Sequence, residues 1–562
     1  MVQMVSPGIS VQEIDLTAVV AASATSIGAI AGEFNWGPAN EIVTVSNEIE
    51  LINKFGKPTN DNAETWFSAA NFLSYSNNLK VVRASGTSTL NATVSGGGVL
   101  IENEDDYYTN HSGGANTHGE FAAKYAGELG NSLRIEMADS NTFSGWAYSG
   151  YFTDAPATSD YVSDRGGSND ELHVIVIDTL GKFSTSANTI LERFSFVSKA
   201  SDAQKYDGST NYYKNVINNN SKYIWWLNNP ELANTNWGTA SSNTSYTLMS
   251  TLYTSTLSSG ANGSLDDNDV QLAYQKFSNA DDTDVSLIIS GGTSESSSVA
   301  YSALVDYLIG IAESRKDCMI FVSPEKTDVV GVTSQVTNVV SFRNSLTSSS
   351  YAVMDCNWKY QYDKYNDVYR WIPLNGDIAG LCARTDNERD PWYSPAGPTR
   401  GIIKNIVKLA WNPTSAERDQ MYLIGINPVV TFQGQGTMLY GDKTLLSRPS
   451  AFDRINVRRL FIVLEKSISK AARSTLFEFN DQFSRAQFVN LVEPYLREVQ
   501  GRRGITDFRV VCDSTNNTPE VVDRNEFVGD IFLKPSRSIN FLQLRFVAVR
   551  TGVAFEEIVG KL

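Results

Sequence analysis

Chemistry in a protein needs particular side chains at particular spacings, and the scarcest of them here are histidine and cysteine. The three histidines are His111, His118 and His173. His111 and His118 sit in a Gly/Asn/Ser-rich stretch with no apolar periodicity, and neither an H-E-x-x-H helix nor a cysteine partner accompanies them. They read as exposed loop residues, which leaves catalysis by histidine with little support. Cys318, Cys356, Cys382 and Cys512 are scattered, with no C-x-x-C pair. Three lie in apolar runs (Cys318-Met319-Ile320, Leu381-Cys382-Ala383, Val511-Cys512), where a buried, reduced thiol is expected. A long chain without a disulfide framework points to assembly in a reducing compartment.

The loops that could hold a phosphate, a cation or a nucleophile lack the residues the chemistry requires. Ser290-Gly291-Gly292-Thr293 follows a strand-like run and precedes a helix-like one, where a phosphate loop would sit. It has no G-K-[ST] ending and no G-x-G-x-x-G, so it reads as a tight turn. No G-x-S-x-G elbow occurs. Asp266-Asp267-Asn268-Asp269 and Asp281-Asp282-Thr283-Asp284 lack the twelve-residue spacing and closing Glu of a calcium loop. They read as solvated loop or helix-start acids. Nothing obliges an enzyme, a metal or a cofactor.

The elements around these residues describe an α/β multidomain chain. At 562 residues, the length implies roughly three to four domains. The net charge of −16 argues against a general nucleic-acid binder. No run approaches a membrane span, and MVQMVSPGISVQEID lacks the basic and apolar regions of a secretory signal. Strand-like runs at 27–31, 79–83, 285–289, 319–322 and 351–354 alternate with helical patterns at 62–76, 297–315 and 333–345. This pattern predicts a parallel-type sheet covered by helices, built from 24–86 plus 265–413. Residues 87–264 interrupt it with a Ser/Asn/Thr/Gly/Tyr-rich, β-rich insertion of net charge −9, with strands at 172–178 and 190–197, a short helix at 211–219 and another apolar run at 222–227. Residues 414–562 carry +3, leaving −19 for the rest, and form an α+β C-terminal domain.

Within that domain, Ile468, Ala472, Leu476, Phe479, Phe483 and Ala486 recur at steps of three and four. The spacing predicts one helix over 467–489 with Lys470, Arg473 and Arg485 on its other faces; Pro494 would restart a shorter helix ended by Gly501. Both chain ends alternate apolar and polar residues. Val11, Glu13, Ile14 and Leu16 lie in an N-terminal arm over 1–23, and Phe541, Leu542, Leu544, Phe546 and Val547 lie in a C-terminal strand. Such strands can be internal sheet edges, or can add to a neighbour's sheet.

Several motifs resemble one family. They are Ser6-Pro7-Gly8-Ile9-Ser10-Val11-Gln12-Glu13; Ala123-Lys124-Tyr125-Ala126-Gly127-Glu128-Leu129-Gly130-Asn131-Ser132-Leu133; and Trp371-Ile372-Pro373 with Ala379-Gly380 and Arg384-Thr385-Asp386. Pro391-Trp392-Tyr393-Ser394-Pro395-Ala396-Gly397, Gly425-Ile426-Asn427-Pro428, Gly434-Gln435-Gly436, Tyr440-Gly441-Asp442-Lys443-Thr444-Leu445 and Arg458-Arg459-Leu460 extend the match. Together they resemble contractile-tail sheath proteins of T-even-like myoviruses, with most of 140–260 outside the likeness.

The resemblance implies a virion tail component assembled in the host bacterial cytoplasm as six-subunit rings stacked around a tail tube. Baseplate and tail terminator proteins would meet its ends. It would contract without nucleotide hydrolysis, drive the tube through the host envelope, and neither bind nucleic acid nor insert in a membrane. The two strand arms would join neighbouring subunits, Lys470, Arg473 and Arg485 would face the tube, and the insertion would project outward. Two rival readings stay open on the residues alone: a non-contractile surface or adhesin protein using the polar insertion, and a carbohydrate-active enzyme with paired carboxylates there.

Overall fold

A computed structural model describes residues 24–114, 117–230, 236–292 and 301–540. The chain divides into two compact units, one running to Arg473 and the other starting at Ser474. The first is organised by a seven-stranded sheet in the order Ile426–Asn427, Ala352–Asp355, Met319–Val322, Leu287–Ile289, Gly28–Gly32, Leu79–Arg83, Ile42–Val45. Every neighbouring pair is parallel except the last, Ile42–Val45 against Leu79–Arg83. The expected parallel-type sheet is therefore present, drawing strands from both sides of the insertion and one more from 426–427.

The central strands Leu287–Ile289 and Met319–Val322 are short and wholly apolar because both faces are covered. Met319 and Phe321 point into one core with Trp66, Phe72 and Ile378, while Ile320 and Val322 point into the other with Tyr274, Leu308 and Phe342. Helices Ala63–Leu73 and Asn375–Glu388 cover the first face; Asp267–Gln275, Tyr301–Arg315 and Gln335–Ser345 cover the second. The first pair packs unusually closely. A Cβ at Gly376 would lie 2.2 Å from the Ser68 carbonyl oxygen, and one at Gly380 would lie 2.4 Å from the Tyr75 ring. Only glycine lets these two helices approach so far.

The insertion forms its own antiparallel sheet, in the order Thr189–Ser198, Glu171–Asp178, Leu133–Ala138, Tyr253–Thr256, with the helix Tyr213–Asn220 and a two-stranded pair, Phe121–Ala123 with Ile224–Trp226. Its core is aromatic, with Phe121, Tyr213, Trp226 and Trp237 buried together. His173 is fully buried on the opposite face of that sheet, stacked on Phe152 at 4.1 Å, so it serves as a core side chain. All four cysteines are buried and unbridged.

The predicted helix over 467–489 is broken. The helix Ile455–Ala472 ends in a 3₁₀ turn, Arg473–Thr475, and a new helix, Gln482–Gly501, starts from Asp481. The Asp481 side chain accepts from the Ser484 main-chain N–H at 2.8 Å, an N-cap that stops the earlier register from continuing. Phe477 has φ of +70°, which no helix accommodates. Pro494 restarts nothing and lies inside the second helix. The second unit is completed by an antiparallel ribbon, Ile505–Val511 with Asp530–Pro535, against that helix.

Candidate assembly surfaces

The ribbon of the second unit has edges that another chain could join. Phe508 pairs with Leu533 and Val510 with Ile531, half-buried beneath the helix Gln482–Gly501, while Arg509 pairs with the exposed Phe532. Among the described residues this sheet has two strands, so each strand keeps one edge without a ladder partner. A lone two-stranded ribbon is marginal in water, and unpaired edges accept further strands. The arm residues Val11, Glu13, Ile14 and Leu16 and the strand residues Phe541, Leu542, Leu544, Phe546 and Val547 lie outside the described residues.

The three basic residues expected on one helix are divided between the units. Lys470 and Arg473 close the helix Ile455–Ala472 and its following turn, both exposed, while Arg485 belongs to the second unit. Arg473 reaches Asp281 at 3.1 Å, and Lys466, one turn earlier than Lys470, pairs with Asp284. The Asp281–Asp284 cluster is thus engaged by the basic residues of this helix. The Arg473 pair is exposed, so salt and solvent leave it weak. Arg485 is half-buried and folds back on its own helix start, donating to Asn480 Oδ1 at 2.7 Å and to the Asn480 carbonyl at 3.1 Å.

Helical periodicity also assigned a buried face to side chains that are exposed. Leu476, Phe479 and Phe483 have exposures of 62%, 84% and 76%, and Phe477 between them is fully exposed. The signal that would have found them is Asn480-Asp481, an N-cap pair inside an otherwise periodic run.

Two buried polar groupings elsewhere brace the fold. Asn375 Nδ2 donates to Ser290 Oγ at 3.0 Å and to the Gly291 carbonyl at 2.6 Å, tying down the glycine turn at the sheet's carboxyl edge. Lys359 Nζ sits 2.9 Å from Asp377 Oδ2, both fully buried, with Tyr75 OH donating to Asp377 Oδ1 at 3.1 Å. Burial pushes the Asp377 carboxyl up and the Lys359 ammonium down, each opposed by the other's charge. Among the described residues no group of three or more His, Cys, Asp or Glu side chains is placed to hold a metal ion. No described helix is long and apolar enough to cross a membrane.

The sequence is 33% identical to the tail sheath protein of Enterobacteria phage T4 over 678 aligned positions, covering 99% of each chain. The chain belongs to the phage tail sheath protein family. Residues 266–445 match the profile of the phage tail sheath protein central domain, and 447–548 that of the phage tail sheath C-terminal domain. Residues 25–84 match the tail sheath protein Gp18 domain III N-terminal region. The first and last strands of the seven-stranded sheet by position in the chain thus fall in different matched segments, and the insertion's sheet lies between 84 and 266. The fold is shared with a sheath tail protein from Desulfitobacterium hafniense, at 11% identity, a TM-score of 0.54 and coverage of 94% of this chain and 100% of that one. It is also shared with a chain of the PVC sheath complex of an extracellular contractile injection system in its contracted state. That likeness has 13% identity, a TM-score of 0.50 and coverage of 97% and 98%. Tail sheath membership is a structural role, consistent with side chains committed to the fold.

Proposed function

We propose that this sheath chain polymerises as stacked six-subunit rings around a tail tube. The resulting polymer contracts to drive the tube through the host envelope. The open ribbon of the second unit carries this reading. Residues 1–23 of one subunit and the strand around 541–549 of another extend that ribbon, so subunits are joined by main-chain hydrogen bonds that do not depend on side-chain identity. Such links persist while the compact units move as rigid bodies, which suits a polymer that shortens without dissolving.

Contraction needs no nucleotide in this account. The extended polymer is metastable, each subunit gains interface as it shortens, and small gains sum along a linked array. The tube-facing candidates are Lys470 and Arg473 in the first unit and Arg485 in the second. The acidic insertion faces outward, and baseplate and tail terminator proteins meet the polymer's ends. The sheath belongs to the virion tail and assembles in the host cytoplasm, with neither nucleic acid nor membrane as a partner.

The test is negative-stain microscopy of full-length protein beside chains lacking 1–20 or 540–562. The intact chain is expected to give six-fold tubes that contract without ATP, and each truncation folded monomers. Normal tubes from both truncations, or contraction that requires ATP, would overturn the reading.

A further inference from the structure

The four residues before the first strand are held from four directions. The Ala24 carbonyl accepts from Ser286 Oγ at 3.2 Å, and the Thr25 carbonyl accepts from Arg459 Nη2 at 3.4 Å. The Ser26 carbonyl accepts from Ser76 Oγ at 3.1 Å, and the Ile27 carbonyl accepts from the Ser286 and Leu287 N–H groups at 3.0 Å each. Thr25 Oγ1 donates to Asp386 Oδ2 at 2.6 Å, and Arg459 donates to the same carboxylate oxygen. Asp386 lies on the helix Asn375–Glu388 and Arg459 on Ile455–Ala472; both side chains are buried.

A strand start needs only the bonds made at Ile27. The ties at 24, 25 and 26 come from side chains 50 to 434 positions away. Chain ends fray unless something ties them down, and here the tie includes a buried charge pair that salt screens poorly. Two motif blocks of the sequence, Arg384-Thr385-Asp386 and Arg458-Arg459-Leu460, therefore meet at the root of the N-terminal segment.

We propose that Thr25, Asp386 and Arg459 form an anchor fixing the root of residues 1–23 to the subunit body. Tension applied to that segment by a neighbouring subunit then enters two buried helices and does not peel the Gly28–Gly32 strand from the middle of the sheet. The proposal rests on the reading that residues 1–23 link subunits. All three are positioning residues.

The test uses full-length Thr25→Val, Asp386→Asn and Thr25→Ser chains. Thr25→Val should leave the thermal midpoint of the monomer nearly unchanged while amide exchange at Ile27–Ala29 rises by about tenfold. Its sheaths, induced to contract in mild urea, should break into short pieces or fail to assemble. Asp386→Asn should behave alike, and Thr25→Ser, which keeps the hydroxyl, should restore intact contraction. Thr25→Val sheaths that contract with the wild-type length distribution would overturn the anchor, whatever Asp386→Asn does to folding. A chain lacking 1–23 separates the two ideas. If it assembles and contracts normally, the linking role of the segment falls. If it fails while Thr25→Val sheaths stay whole, only the anchor falls.

Discussion

Asp355 ends the strand Ala352–Asp355 and is 1% exposed, accepting from Ser323 Oγ at 2.6 Å and from the Asn357 N–H at 2.9 Å. Burial pushes its carboxyl up to about 7 against the two hydrogen bonds, and the neighbouring Asp377 pushes it further. In the unfolded chain the group returns to its ordinary 3.8. Between those values the folded chain holds a proton that the unfolded chain has released. The contribution is therefore complete below pH 4 and is lost as pH rises through 7. Asp355→Asn removes this dependence. Relative to wild type, the variant should gain about 2–4 kcal/mol in unfolding free energy between pH 4 and pH 8, at about 1.4 kcal/mol per pKa unit. Urea unfolding of both chains at several pH values checks it, and parallel curves would exclude it. The Lys359–Asp377 pair makes a second residue-scale prediction. Lys359→Met strands a buried carboxylate and should cost about 3–5 kcal/mol, whereas Lys359→Met with Asp377→Leu should recover most of that. Equal losses in the single and double variants would mean that the pair itself stabilises the fold.

At the scale of elements, the close helix pair gives a prediction whose sign is diagnostic. Alanine favours an isolated helix over glycine by about 1 kcal/mol. At Gly376 and Gly380, however, the added Cβ meets the Ser68 carbonyl oxygen and the Tyr75 ring. Gly376→Ala should therefore destabilise, by about 1–3 kcal/mol in chemical denaturation; stabilisation would show that the helices can part freely. The same contrast explains what could be read from the chain. The central strands were legible because burial on both faces leaves continuous apolar runs, as in Met319–Val322. The insertion's strands at 171–178 and 189–198 were legible from their apolar and β-branched residues. The break at 473–481 was not, because Leu476, Phe479 and Phe483 keep helical spacing across a stretch that the Asp481 cap and the Phe477 backbone take out of helix. Of the candidate site, the basic residues were visible, but their division between two units was not. The meeting of Thr25, Asp386 and Arg459 depends on tertiary placement, and periodicity carries no information about partners 73 to 434 positions apart.

At the scale of the whole molecule, the insertion is attached in a way that makes it separable. The chain leaves and returns side by side, Leu90 bridging Ala261 and Thr93 bridging Ser258, each antiparallel with both N–H···O bonds at 2.9 Å. Gly86 and Ser264 approach so closely that a Cβ on the former would lie 2.6 Å from the carbonyl of the latter. A short loop can therefore replace 87–263 without moving either end of the sheet. The main cost is at Trp36, which leaves the body to pack edge-on against Tyr125 and Phe183 of the insertion at 5.3 and 4.8 Å. Arg83, Ala39 and Asn40 also hold that loop and its contacts with Glu102. An excised chain carrying Trp36→Ser should thus keep a folded seven-stranded sheet, unfold cooperatively, and lose the aromatic signals of the insertion's core. If the insertion is decoration on the sheath, the excised chain should still form contractile tubes, narrower in outer diameter, because the ribbon and both chain ends are untouched. A folded but unpolymerised product would instead place an essential subunit contact within 87–264. It would also shift the origin of the negative charge there from an outward-facing surface to an interface.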